Sequence, residues 1–335
     1  MKIAIVTDAW FPQVNGVVTT LDSTGRQLRA WGHDVTHIGP DHFRTVPCPT
    51  YPAIRLAVGP GRKLARLLDR YQPDAIHLAT EGPLGLAGRH YCRTRQLRFT
   101  TSYHTKFPHY VRMRAPIPMS WTYRLLRWFH SAAERTLVPT DSVREDLRAH
   151  GFKNLAVWAR GVDTEMFKPS NHRLFGRDKP VALYAGRVAV EKNLEGFLDA
   201  DLDVLKVVVG DGPDRDELKR RYPLVRFTGF KFGDDLARHM ASADVFVFPS
   251  RTDSFGIVML EAMACCLPVA AYPVPGPVDV VHDGVTGILN DDIATAITRA
   301  LELDRQQCRT HALECSWEAC TGQFLSCLAP NRAPN

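Results

Sequence analysis

Pro249–Ala271, PSRTDSFGIVMLEAMACCLPVAA, is the stretch from which the rest of the chain is read. The apolar run that precedes it, opened by Asp244, has the character of a buried strand ending at Pro249. Ser250-Arg251-Thr252-Asp253-Ser254 is then a polar loop at the strand's carboxyl end, and the spacing predicts a helix over Phe255–Cys265. A strand, a short loop and a helix whose first-turn N–H groups point back at the loop form an anion site, since those donors are unpaired and the helix dipole favours negative charge. Asp253 and Glu261 are eight positions apart, one in the loop and one in the helix. Read alone, Asp253 caps the helix and Glu261 is an ordinary helix carboxylate; read with the anion site, each carboxylate accepts hydrogen bonds from a sugar hydroxyl beside a diphosphate.

Outward from this stretch, buried strands alternate with helices twice over. KIAIVTD, DVTHIGP, PDAIHLAT and RFTTSYHT are strands of a first unit, with a helix at Val17–Trp31 stopped by Gly32. VALYAGR, VLKVVVGDG, VRFTGF and DVFVFPS are strands of a second. Such alternation is the sequence form of parallel sheets wound with helices on both faces, whose ligands bind at the carboxyl ends of the strands. Several groups stand there. Gly186-Arg187-Val188-Ala189-Val190-Glu191-Lys192-Asn193 puts two cations after VALYA, and Arg and Lys suit phosphate oxygens. Gly210 and the string Thr228-Gly229-Phe230 end the next two strands. In the first unit Asn15-Gly16-Val17 opens a helix, and His104 follows the strand RFTTS. GDGPDR carries Arg215 where a dinucleotide fingerprint has its third glycine, which disfavours a nicotinamide or flavin enzyme. Asp201-Leu202-Asp203 precedes a strand and reads as surface, so no metal site is assigned.

With 335 residues and 45% hydrophobic content, the chain has the size of two domains. Its eight cysteines show no C-x-x-C pair or zinc spacing, consistent with reduced intracellular thiols. MKIAIVTDAWFP reads as a strand and not a leader, and no apolar run is long enough to span a bilayer. Charge is unevenly spread: residues 1–168 carry 24 Lys and Arg against 13 Asp and Glu, and residues 169–335 carry 18 against 23. The basic half points to an anionic partner, an acidic membrane surface or nucleic acid. RKLARLLDRY at 62–71 and the Arg- and aromatic-rich run 110–135 have the composition of interfacial helices, or of helices packed on their own core with Arg outward. In the second run Trp121, Trp128 and Phe129 are expected to meet lipid headgroups, with Arg112, Arg114, Arg124 and Arg127 on phosphates.

Asp253-x7-Glu261 with the EAMACCLPVAA run resembles the Glu-x7-Glu signature of retaining nucleotide-sugar glycosyltransferases of family four, and Gly186–Asn193 resembles that family's GR-x3-EK-N motif. Two positions depart from the pattern: the first acid is Asp253, and Cys266 stands where the family commonly has Gly. The resemblance covers nearly the whole chain. It implies the glycosyltransferase-B architecture, an α/β fold of two doubly wound, Rossmann-like domains facing each other across a cleft. The first domain, 1–168, would take the acceptor, and the second, 169–314, the nucleotide sugar, with a final helix at about 315–330 packing back on the first. It further implies His104, Asp253, Arg187 and Lys192 as the catalytic set. Gly16, Arg187, Lys192, Gly210, Phe230, Ser254, Phe255, Gly256, Ile257 and Glu261 would contact the donor.

The expected activity is metal-independent, retaining transfer of a hexosyl group from a UDP- or GDP-sugar to a lipid of the diacylglycerol or phosphatidylinositol type, with no cofactor beyond the donor substrate. The enzyme would be cytoplasmic and peripheral on the inner face of the cell membrane. TEGPLG at 80–85, YHTKFPHY at 103–110 and AAYPVPGPVD at 270–279 resemble bacterial members acting on lipids. The alternatives are a polysaccharide or small-molecule acceptor, or a non-catalytic sugar-nucleotide-binding protein; nucleic acid is a secondary partner class.

Overall fold

The computed structural model describes residues 1–13, 15–48, 51–114, 117–171, 173–176 and 178–331. The chain divides into two compact units, residues 1–160 with 317–335, and residues 161–316.

In the first unit β1 (Lys2–Val6) leads through α1 (Gly16–Ala30) to β2 (Asp34–Ile38), and a hairpin of β3 (Thr45–Cys48) and β4 (Tyr51–Ala57) precedes α2 (Gly61–Tyr71). Next come β5 (Ala75–Leu78), α3 (Pro83–Thr94), β6 (Thr100–Ser102), α4 (Phe107–Arg114) and α5 (Met119–His130). β7 (Arg135–Val138), α6 (Asp141–Ala149) and β8 (Leu155–Val157) complete the sheet, ordered β2-β1-β5-β6-β7-β8 and parallel throughout. Alternation along β1 serves both faces: Ala4 and Val6 pack with Leu64 and Leu68 of α2, whereas Ile3 and Ile5 pack with Leu21 and Leu28 of α1. The strand order reverses between β1 and β5. There the Asp8 carboxylate accepts from the N–H groups of Leu84 and Gly85 at 2.9 and 3.3 Å, capping α3 and joining the two loops.

The second unit runs β9 (Val181–Ala185), α7 (Leu194–Leu198), β10 (Leu205–Val209), α8 (Arg215–Arg221), β11 (Arg226–Gly229), α9 (Gly233–Ala241) and β12 (Val245–Phe248). It continues with α10 (Ile257–Ala264), β13 (Val269–Ala271), α11 (Pro277–Val280), β14 (Gly287–Leu289), α12 (Ile293–Ala300) and α13 (Arg305–Glu314). Its parallel sheet is ordered β11-β10-β9-β12-β13-β14, the doubly wound order with its reversal between β9 and β12. Leu183, Val207 and Phe246 face Met240, Leu260 and Cys308; Ala182, Val208 and Val247 face Phe197 and Ile297. Both layers of helices are therefore needed to cover the sheet. The helix expected over Phe255–Cys265 is shorter, Ile257–Ala264, because Gly256 at φ +84 holds the chain out of helical geometry before it. Beyond its end Cys266 takes φ +62, a conformation that glycine meets more easily.

α14 (Trp317–Cys327) belongs to the first unit. Its Phe324 is fully buried, 4.8 Å from the Trp158 ring centroid and 4.9 Å from that of His77, among Ile3, Ile5 and Leu21. Among the described residues no helix is long and apolar enough to cross a membrane, and no disulfide forms. Phe324→Ala opens a cavity in this cluster and is expected to lower the stability of the first unit by about 3–5 kcal/mol. Urea unfolding followed by tryptophan fluorescence measures it; a change below about 1 kcal/mol would show that α14 contributes little to that core.

Candidate active site

The reversal between β9 and β12 leaves the loops after these two strands side by side, and the second-unit residues singled out from the sequence gather there. Lys192 Nζ lies 2.6 and 2.7 Å from the two carboxylate oxygens of Asp253, spanning the loops. Ser250 Oγ and Thr252 Oγ1 donate to the Glu191 carbonyl at 3.3 and 3.2 Å, and Asn193 Nδ2 donates to the Pro249 carbonyl at 3.1 Å. Burial works against the Lys192 ammonium. The Asp253 charge, with Tyr184 and Glu191, outweighs it, so the lysine pKa lies above its ordinary value. Asp253 is thus tied to the β9 loop. Arg187 Nη1 meets Glu191 at 3.0 Å, and Tyr184 donates to the Arg187 carbonyl at 2.7 Å. Glu191, only 4% exposed, was not singled out from the sequence; its i,i+4 spacing from Arg187 was the available signal.

Ser254, Phe255, Gly256 and Ile257 form the turn into α10, with Ser254 buried. Gly276 lies against this turn: a side chain there would meet the Asp253 carbonyl at 2.8 Å. Glu261 lies in α10, and its carboxyl group has no hydrogen-bond partner or cation among the described residues. Burial alone pushes its pKa up to about 7. Gly210 ends β10 where a Cβ would come within 1.8 Å of the Gly186 carbonyl oxygen, so its glycine is explained by backbone packing under the β9 loop. Phe230 follows β11 at the sheet edge, half-exposed, its ring 5.7 Å from that of Phe232 and nearly parallel to it. Asp203, before β10, pairs with Lys179 on the surface. Among the described residues no three His, Cys, Asp or Glu side chains are placed to hold a metal.

In the first unit Gly16 is the first residue of α1. Asn15 caps that helix, accepting from the Val17 and Val18 N–H groups at 3.0 Å each, so two of the first-turn donors are already satisfied. Val14 lies outside the described residues. His104 follows β6 with Nε2 2.8 Å from Ser102 Oγ and Nδ1 3.2 Å from Arg160 Nη2. On α5, Trp121, Leu125 and Trp128 are exposed by 72%, 55% and 49% and recur at helical spacing on one face, with Arg124 and Arg127 exposed between them. The Arg89 guanidinium stacks 3.9 Å from the Trp128 ring centroid, and Arg127 donates to the His150 carbonyl at 2.8 Å. Phe129 does not share this face. It is 1% exposed and packs with Leu84 and Phe99, so the expectation that it meets headgroups is corrected: its position on α5 turns it to the core. Arg112 is exposed; the side chains of Tyr110 and Arg114 lie outside the described ones.

Two wound α/β units, one with cations and carboxylates gathered at its switch point, are the frame in which the chain's relatives are compared. The glycosyl transferases group 1 family matches residues 179–303, and Glycosyltransferase Family 4 matches residues 14–166. A GDP-mannose-dependent alpha-mannosyltransferase of Mycobacterium tuberculosis is 34% identical over 318 residues, covering 86% of this chain and 83% of that protein. An alpha-monoglucosyldiacylglycerol synthase of Streptococcus pneumoniae is 30% identical over 345 residues, covering 90% of this chain and 78% of that protein. Sucrose-phosphate synthase from Thermosynechococcus elongatus superposes with a TM-score of 0.76 at 21% identity, covering 97% of each chain. Anabaena HepE, solved in complex with UDP and glucose, gives 0.72 at 16% identity, covering 97% of this chain and 98% of that one. The chain belongs to the family-four glycosyltransferases. It is a glycosyltransferase of the two-domain α/β, glycosyltransferase-B class.

The Glu261 carboxyl makes a signed prediction. Its pKa is raised from 4.5 to about 7, so the folded chain binds this proton more tightly than the unfolded chain across that window, and stability falls as pH rises through it. Glu261→Gln is expected to leave stability near pH 4 unchanged and to raise it at pH 8 by about 1–3 kcal/mol. Thermal unfolding at the two pH values measures this, and equal effects at both would contradict it.

Proposed function

We propose that this chain transfers a hexosyl group from a UDP- or GDP-linked sugar to a lipid hydroxyl at a membrane surface, with retention at the anomeric carbon. The observation that carries the reading is the set of loops at the β9/β12 switch point, which brings Arg187, Lys192 and the Asp253 carboxylate together ahead of α10. The donor diphosphate would lie at the start of α10, taking Lys192 and Arg187 as counter-charges. Negative charge grows on the leaving phosphate toward the transition state, so these cations act most strongly where the barrier is highest, and they serve in the place of a metal. Lys192 would then be shared with, or drawn from, Asp253, leaving that carboxylate to accept from a hydroxyl of the donor sugar. Glu261 would accept from the nucleotide ribose, which supplies a polar partner that its carboxyl lacks among the described residues. In the first unit, His104 would face the donor sugar.

The lipid acceptor is supported by the activities of relatives, among them the alpha-monoglucosyldiacylglycerol synthase and a phosphatidylinositol dimannoside mannosyltransferase. Within this chain it is supported by the exposed face of α5, where apolar rings alternate with cations as an interfacial helix requires. Attachment through this face needs no spanning segment and weakens with salt.

Two experiments test the reading. Incubated with UDP- and GDP-sugars and lipid vesicles, the chain should form a glycolipid of retained configuration. Arg187→Ala and Lys192→Ala should each lower kcat by about 100- to 1,000-fold. Near-normal turnover in both variants would contradict the assignment of the diphosphate site. For the membrane face, each exposed cation contributes about 1 kcal/mol on an anionic surface, so Arg112→Ser with Arg124→Ser should weaken binding to acidic vesicles by roughly 30-fold. Equal sedimentation with neutral and acidic vesicles would argue against this face.

A further inference from the structure

Arg160 is 5% exposed at the end of the first unit, with its guanidinium 4.5 Å from the Trp158 ring centroid. Burial lowers its pKa to about 10, and among the described residues it has no carboxylate partner, so an ion pair does not account for its position. Its Nη1 donates to the carbonyls of Trp158 and Ala159, and its Nη2 reaches Nδ1 of His104 at 3.2 Å.

A guanidinium donates and never accepts, and this sets the direction of both hydrogen bonds at His104, while the Ala79 carbonyl, which only accepts, sets those beyond Ser102. His104 Nδ1 must accept, so the ring proton is on Nε2, which donates to Ser102 Oγ at 2.8 Å. Ser102 in turn gives its hydroxyl proton to the Ala79 carbonyl at 3.3 Å. His77 Nε2, 3.1 Å from the same Oγ, must therefore donate, and His77 Nδ1 accepts from Thr100 Oγ1 at 2.9 Å. Among the described residues, the charged and titratable groups acting on His104 include Arg160, His77 and His130, the last bonded to Glu81. A proton on His104 Nδ1 would displace the guanidinium and set a second cation beside it.

We infer that Arg160 is a positioning residue of the transfer reaction: by occupying Nδ1 it fixes His104 as the neutral Nε2–H tautomer, so that His104 meets the donor as an uncharged ring that neither gives nor takes a proton. The link to catalysis rests on the reading that His104 faces the donor sugar; the tautomer lock does not. Burial first, then the charge of Arg160 with His77 and His130, holds the His104 pKa well below the ordinary histidine value, in the direction the lock requires.

Imidazole nitrogen NMR on the donor-free full chain tests the lock. His104 is expected as the Nε2–H form with no titration near pH 6.5, the ordinary value. Arg160→Met, which keeps the stem over Trp158, should raise its pKa, and Arg160→Lys should largely restore the native behaviour. Ser102→Ala, which spares Arg160, should leave His104 unprotonated, and together with the native spectrum it decides the matter if Arg160→Met does not fold. An Nδ1–H form, native titration near 6.5, or no change in Arg160→Met would overturn the lock. The pH dependence of sugar-nucleotide turnover tests the link to catalysis: Arg160→Met should acquire an acid limb of about tenfold per pH unit below the new His104 pKa. A released imidazole with an unchanged profile would overturn that link. A native chain inactive on every sugar nucleotide would count against the functional reading and leave the lock standing.

Discussion

The contact of Lys192 Nζ with both oxygens of Asp253 organises the second unit's site. It joins the loops after β9 and β12, which the strand order makes neighbours although they lie 61 positions apart in the chain. The surrounding hydrogen bonds of Ser250, Thr252 and Asn193 run between the same loops and hold the ammonium and carboxylate in register. The shorter first acid is consistent with this: Asp253 reaches Lys192 without a further methylene. On the proposed reading, Lys192 of this ion pair is the counter-charge for the donor diphosphate.

The two units treat their switch points differently. In the first, the Asp8 carboxylate is spent on the backbone N–H groups of α3. In the second, the Asp253 carboxylate of the corresponding loop meets the Lys192 ammonium. Glu261 is a further case: desolvation raises its pKa to about 7 and it has no hydrogen-bond partner among the described residues, so its charged form opposes folding at neutral pH. Such a group is retained where a ligand supplies what the fold withholds. The buried His77, His104 and Arg160 network of the first unit is the reverse case, with His104 engaged at both nitrogens.

Much of this was legible in the sequence because its signals are local. Runs such as VALYA and VFVF are apolar on both faces, as strands covered by two helix layers must be, and each ends within two residues of where it was read. The acid-x7-acid and GR-x3-EK-N strings carried the second unit's site because strand order brings short motifs together at one sheet edge. What was not legible depends on side-chain direction or long-range pairing. The β3–β4 hairpin pairs residues around a turn whose composition resembles its strands. The inward turn of Phe129 amid a run of exposed aromatics and cations is set by helix phase. Arg160 reads in sequence as one more polar linker residue, and only its approach to His104, 56 positions away, gives it a role.

The most direct test of the central claim is a structure of the full chain with a nucleoside diphosphate bound. The account predicts phosphate oxygens within hydrogen-bond reach of Lys192 Nζ and the first N–H groups of α10, with the ribose hydroxyls on Glu261. A diphosphate bound elsewhere, with the Lys192 to Asp253 contact undisturbed and Glu261 still without a partner, would contradict it.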